Sequence, residues 1–134
     1  MRHIFLDSSA LVAMADWRDP DHDAVTSFIQ AIKGQASLIT TDYVLDETVT
    51  VVKKRYGYEL AVQLGRKLRA SNFCRYYVLT LEDEALTWAT FEKYSDKAWS
   101  YTDCSCLAVM QRLQITEVLS LDAHFRQTGI QVWP

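Results

Sequence analysis

The 134-residue chain reads as an α/β fold built on a mainly parallel sheet. Three observations predict it. Short apolar runs alternate with helical stretches along the chain. The first run, His3-Ile-Phe-Leu6, lacks any polar alternation, as expected of a strand covered on both faces. With two prolines and four glycines the chain has few breaks, and no linker, repeat or low-complexity tract divides it. The expectation is a single domain over residues 1–134, with helix outweighing strand.

The elements follow in order. The strand from His3 ends at Asp7, and Ser8 to Ala15 forms a short helix. Trp17-Arg-Asp-Pro20 is a turn, after which Asp21 caps a helix reaching about Lys33. Ser37 to Thr40 is a short strand. Thr41 or Asp42 caps the next helix, which Gly57 ends after Tyr56. A further helix spans Tyr58 to Ala70. Tyr76 to Leu81 is rich in β-formers and predicts a strand. Glu82-Asp-Glu84 then places acids in a first helical turn, where the dipole favours them. Thr102 to Leu113 is a helix with Thr102 as its cap. Val118 to Leu121 and Ile130 to Trp133 are strands, the last at an edge.

Composition narrows the class. The chain is 49% apolar, enough to form a core without staples. No apolar run approaches the ~20 residues of a membrane span. The opening MRHIFLDSSALVAM resembles a signal peptide superficially. Asp7 interrupts it and no small-residue cleavage site follows, so it is read as part of the mature fold. Cys74, Cys104 and Cys106 form no disulfide framework, which fits a reducing cytoplasm. Cys104 and Cys106 lie two apart on a helix and point to different faces, a poor start for a zinc site.

Net charge is −3, yet the charge is uneven. Residues 53–75 hold seven basic side chains and one acid, Glu59, whereas acids dominate on both sides. Such an island is either a solvated surface or a grip for phosphate. Charge alone does not separate the two.

Four acids carry the chemical argument. Asp7 and Asp122 follow strands, and ligand sites of open parallel sheets lie beyond strand carboxyl ends. Each is also an ordinary turn residue. Asp103 shares a helical face with Leu107 and Met110, so an ionisable group stands on the stripe that meets the core. A first-turn Asp is also a common helix-end device. Glu47 flanks the stripe of Val44 and Val51, whereas Asp46 points away from it. Lys54 lies two turns on, on the same side. If the four acids converge, their repulsion raises their pKa values unless a cation is present. Oxygen ligands suit Mg²⁺ or Mn²⁺, which stabilise a phosphodiester transition state and acidify water.

The segments holding these acids share a further feature. FLDSSALVA at 5–13, TTDYVLDETVT at 40–50, SYTDCSCLAVM at 100–110 and VLSLDAHF at 118–125 resemble the PIN domain. They are most similar to the VapC group, the toxin ribonucleases of type II toxin–antitoxin pairs. The resemblance spans essentially the whole chain, with the segments in the family's order. It implies a three-layer α/β/α sandwich on a central sheet of about five strands. It implies metal-dependent hydrolysis of RNA phosphodiester bonds, with Mg²⁺ or Mn²⁺ held by Asp7, Glu47, Asp103 and Asp122. Ser9 would match a polar residue supporting that site. Lys53 and Lys54, or basic residues after them, would hold the RNA backbone. A homodimer and an antitoxin that covers the site are further implications.

Other residues weigh less. His124 lies beside Asp122 and near neutral pH is a usable acid or base. His3 is expected to be packed or at an edge. Trp17 and Trp99 sit near loops, where packing competes with base stacking. Two readings compete with the toxin: a catalytically idle PIN-like module that binds RNA or protein, and an RNA-processing nuclease outside any such pair. An idle module usually lacks one of the acids, and all four stand here. An aspartyl-nucleophile phosphatase would need a second Asp where Ser9 stands.

Overall fold

The computed structural model describes residues 2–134. Its centre is strand β1, His3–Leu6, whose Ile4, Phe5 and Leu6 are wholly buried. Burial of each such side chain stabilises by roughly 1.5–3 kcal/mol. A strand buried on both faces needs a covering layer on each side, and helices supply both. His3 itself is exposed at the start of β1, not packed.

Helix α1, Ser8–Ala15, follows β1 directly, and α2 spans His22–Ile32. Asp21 stands at the N-cap position of α2, but its side chain makes no capping bond. Strand β2 is Ser37–Thr41 and helix α3 is Asp42–Tyr56. Here Thr41 is the cap, accepting from the Val44 N–H at 3.1 Å. Gly57 ends α3 at φ +107, where its N–H reaches the Val52 and Lys53 carbonyls. A side chain at that φ would be strained. Helix α4 is Tyr58–Arg69.

Strand β3 is only Arg75–Tyr77, shorter than the predicted Tyr76–Leu81. The reason is local. Thr80 and Asp83 form a reciprocal capping box that starts helix α5, Leu81–Lys93, and takes Leu81 into the helix. Helix α6 is Tyr101–Leu113. Its cap is Ser100, not Thr102: Ser100 Oγ accepts from the Asp103 N–H, and Asp103 Oδ2 accepts from the Ser100 N–H, both at 3.0 Å. Strand β4, Glu117–Leu119, ends before Leu121, and the chain turns into a 3-10 helix, Ala123–Thr128, that the sequence reading did not foresee. Strand β5 is Gln131–Trp133.

All strand pairs are parallel, in the order β3-β2-β1-β4-β5. The chain winds outward from β1 in both directions, β2 and β3 on one side and β4 and β5 on the other. Connections after β1 and β4 therefore diverge, which opens a crevice at their carboxyl ends. Asp7, just past β1, donates its backbone N–H to Leu119 O of β4 at 3.1 Å. The topology alone thus brings the ends of residues 3–7 and 117–122 together. Among the helices α3 packs on α4 and α1, and α5 on α6.

Candidate metal centre at the strand ends

Asp7 lies at the bottom of the crevice and is almost wholly buried. Its Oδ2 accepts from Ser9 Oγ and Ser120 Oγ, each at 2.8 Å. Its Oδ1 is buried and has no hydrogen-bond partner. An unpaired buried carboxylate oxygen is costly, so this atom calls for a ligand. Burial pushes the Asp7 carboxyl up to about 6. The two serine hydrogen bonds oppose that rise, and the charge of Asp103 adds to it.

The serines form a scaffold. Ser9 Oγ also accepts from the Leu121 N–H at 2.9 Å, and Ser120 Oγ from the Asp122 N–H at 3.0 Å. Ser8 Oγ donates to Glu47 Oε2 at 2.7 Å, fixing the acid that α3 contributes. Ser9 was singled out in the sequence, whereas Ser8 and Ser120 were missed. No sequence signal distinguishes them from ordinary turn serines, because their role depends on the meeting of β1 and β4.

Asp103 is held by its capping box and is buried. The cap and a place in the cluster are compatible: Asp103 closes the helix start and also has a carboxylate oxygen near Asp122 and His124. The signal was legible as Ser100-x-x-Asp103. Asp122 caps the 3-10 helix, accepting from the His124 N–H at 2.9 Å. The His124 ring Nδ1 lies 3.1 Å from Asp122 Oδ1 and 3.6 Å from Asp103 Oδ2. It is close enough for charge pairing, though poorly aligned for a hydrogen bond. Ligand atoms of Asp103, Asp122 and His124 all lie within 4.8 Å of one another, close enough to share one cation. Cys106 locates the remaining acids: burial drives its thiol well above the ordinary value, and Asp7, Asp103 and Glu47 each add to that rise. The charges of three carboxylates thus act on one buried thiol.

A cleft of about 330 Å³ opens from Ser8, Ser9 and Glu47 along α3. Larger cavities lie elsewhere, of about 560 and 640 Å³, but no acid of the cluster lines them. Lys53 and Lys54 do not line the cleft. Lys53 turns toward α4, its Nζ 5.9 Å from the Tyr58 ring centre. Lys54 lies nearly in line with Glu47 by helical angle, but the cleft runs obliquely along the i, i+4, i+8 ridge of Glu47, Val51 and Arg55. Trp99 is buried against Tyr94, whereas Trp17 is exposed.

The raised Asp7 carboxyl gives a prediction. In metal-free protein the folded state holds the Asp7 proton more tightly than the unfolded chain, whose Asp titrates near ~3.9. Stability is therefore lost as pH rises from about 4 to about 6. Asp7→Asn removes that loss. Melts in EDTA should show the variant more stable at pH 7, by up to about 3 kcal/mol, and equal to wild type near pH 4. Equal stability at pH 7 would mean that the Asp7 charge is not disfavoured.

The chain as a whole is similar to known proteins. The 23S rRNA-specific endonuclease VapC20 of Mycobacterium tuberculosis is 27% identical over 132 residues, 98% of each chain. Its crystal structure, described as that of a Sarcin-Ricin loop cleaving toxin, aligns with a TM-score of 0.86 at 25% identity, covering 98% of this chain and 99% of that one. Ribonuclease VapC26 of the same organism is 27% identical over 125 residues, 91% of this chain and 89% of its own. VapBC2 from Rickettsia felis, solved bound to a DNA fragment from its promoter, shares the fold at 9% identity, with a TM-score of 0.73 over 97% of this chain and 96% of that one. The PIN domain family matches residues 4–131, and the chain belongs to that family.

Proposed function

We propose that the chain is a divalent-metal-dependent endoribonuclease, the toxin of a type II toxin–antitoxin pair. One observation carries the reading: the buried, unpartnered Asp7 Oδ1 in a crevice shared with Glu47, Asp103 and Asp122. Such a donor set fits a hard cation, Mg²⁺ or Mn²⁺. Asp7, Glu47 and Asp103 would hold it, with Asp122 and His124 at its edge. Bound there, the ion supplies positive charge against the negative charge that develops on the phosphodiester.

The chain's own residues do the rest. Ser9 and Ser120 hold one oxygen of Asp7 and leave the other as the ligand atom. Ser8 holds Glu47, and the Ser100 N–H holds Asp103. Side chains fixed in this way lose little freedom when the substrate arrives. His124 beside Asp122 is the residue able to carry a proton at this edge of the site.

Kinship with a 23S rRNA-specific endonuclease supports structured ribosomal RNA as the substrate. The fold shared with VapBC structures supports an antitoxin partner, a homodimer is what the resemblance to the VapC group implies, and buried free cysteines fit a cytoplasmic setting. No helix of the described residues is long and apolar enough to cross a membrane.

The test is cleavage of a 23S rRNA stem-loop and of unrelated RNAs in Mn²⁺, Mg²⁺ or EDTA. Cutting in either metal and none in EDTA is expected. Mn²⁺ at 100 times its Kd should also stabilise the fold by about 2.7 kcal/mol. RNA binding without cutting in any metal would leave a non-cleaving binding module in place of the nuclease.

A further inference from the structure

The crowded acids attract a metal but repel RNA. Among the described residues no Lys or Arg pairs with Asp7, Glu47, Asp103 or Asp122, so the phosphate backbone needs a cationic hold outside the cluster. The cleft shows where. Of the residues lining it, Arg55 is the single basic one. It shares the α3 ridge with Glu47 and lies eight residues on, about 12 Å along the helix axis. That separation leaves the scissile phosphate at the acids and suits a neighbouring phosphate of the same strand.

Arg55 is exposed, and no acid lies within ion-pair distance of it among the described residues. By contrast Arg2, Arg18 and Arg112 are all paired. The acids facing it across the cleft are Asp19 and Asp21. Asp19 is already engaged: Oδ2 accepts from Tyr56 OH and Oδ1 from the Asp21 N–H, both at 2.9 Å. Each of its oxygens thus already accepts one bond, and neither lies within ion-pair distance of Arg55. The guanidinium keeps its planar donor fork free for a phosphate.

We propose that Arg55 is a binding residue for the RNA backbone, gripping a phosphate beside the scissile one. The proposal rests on the ribonuclease reading and deepens it. Wild type, Arg55→Ala, Arg55→Lys and, as a control, Lys33→Ala, exposed at the far end of α2 and away from the cleft, should be compared on one RNA stem-loop at several salt concentrations. Binding is measured separately in the Asp103→Asn background. Arg55→Ala should raise KM about tenfold and leave kcat within about twofold. It should also reduce the salt dependence of binding by about one phosphate contact. Arg55→Lys should restore part of the loss, and Lys33→Ala should match wild type. Unchanged KM and salt slope in Arg55→Ala would overturn the assignment, as would an equal loss in Lys33→Ala. Wild type that binds the RNA and fails to cut it would defeat the nuclease reading alone, and the salt slope would still decide Arg55.

Discussion

Asp103→Asn is expected to remove RNA cleavage, by at least about 10²–10³-fold in kcat, the range seen when one preorganised electrostatic group is lost. The fold should survive. In the wild type Asp103 serves the helix through one acceptor, Oδ2, which receives the Ser100 N–H. Asparagine offers an equally good acceptor there. What disappears is the negative charge facing Asp122 and His124. Stimulation by Mn²⁺ should fall with it, in both the melt and the cleavage assay. A variant that cuts as fast as wild type would remove Asp103 from the site, and one that fails to fold would make it a structural cap only.

Asp83→Ala should do the opposite, destabilising by about 3 kcal/mol while leaving kcat per folded molecule unchanged. Asp83 is fully buried and joins three elements. It accepts from Tyr77 OH of β3 at 2.6 Å, from the Thr80 N–H at 2.8 Å, and from Arg112 of α6. Burial works against its charge, but these bonds outweigh it and hold the carboxyl down at about 2. A depressed acid stabilises fully above the unfolded value of ~3.9, and that contribution is lost as pH falls toward 2. The difference between wild type and variant should therefore shrink through this window. For a chain of this length Tm should drop by roughly 10 °C near neutral pH. A change of 1 °C or less would show that Arg112 and Tyr77 find other partners.

The outline of the fold was legible because its signals are local. Asp7 ends an apolar run, Thr41 starts an amphipathic one, and Gly57 stops it. Where the outline erred, a side chain bonded to backbone nearby had overruled propensity. The β-rich run from Tyr76 yields at Leu81 because Thr80 and Asp83 close a helix start. Ser100 displaces Thr102 as cap because Asp103 reaches back to its N–H.

For the site, the sequence by itself singled out the four acids as candidates and placed three of them, Asp7, Asp103 and Asp122, at strand ends or helix starts. Spacing along one chain also put Asp103 on a core-facing stripe. Only the tertiary structure decided what surrounds them. Ser120 meets Asp7 across 113 residues, a contact that exists because β4 pairs with β1. The basic island was visible as composition, but which of its side chains reaches the cleft depends on the oblique path between α1 and α3. That path selects Arg55 and turns Lys53 toward α4. Residue type and periodicity are local properties, whereas a shared carboxylate environment is a property of elements that meet only when the sheet closes.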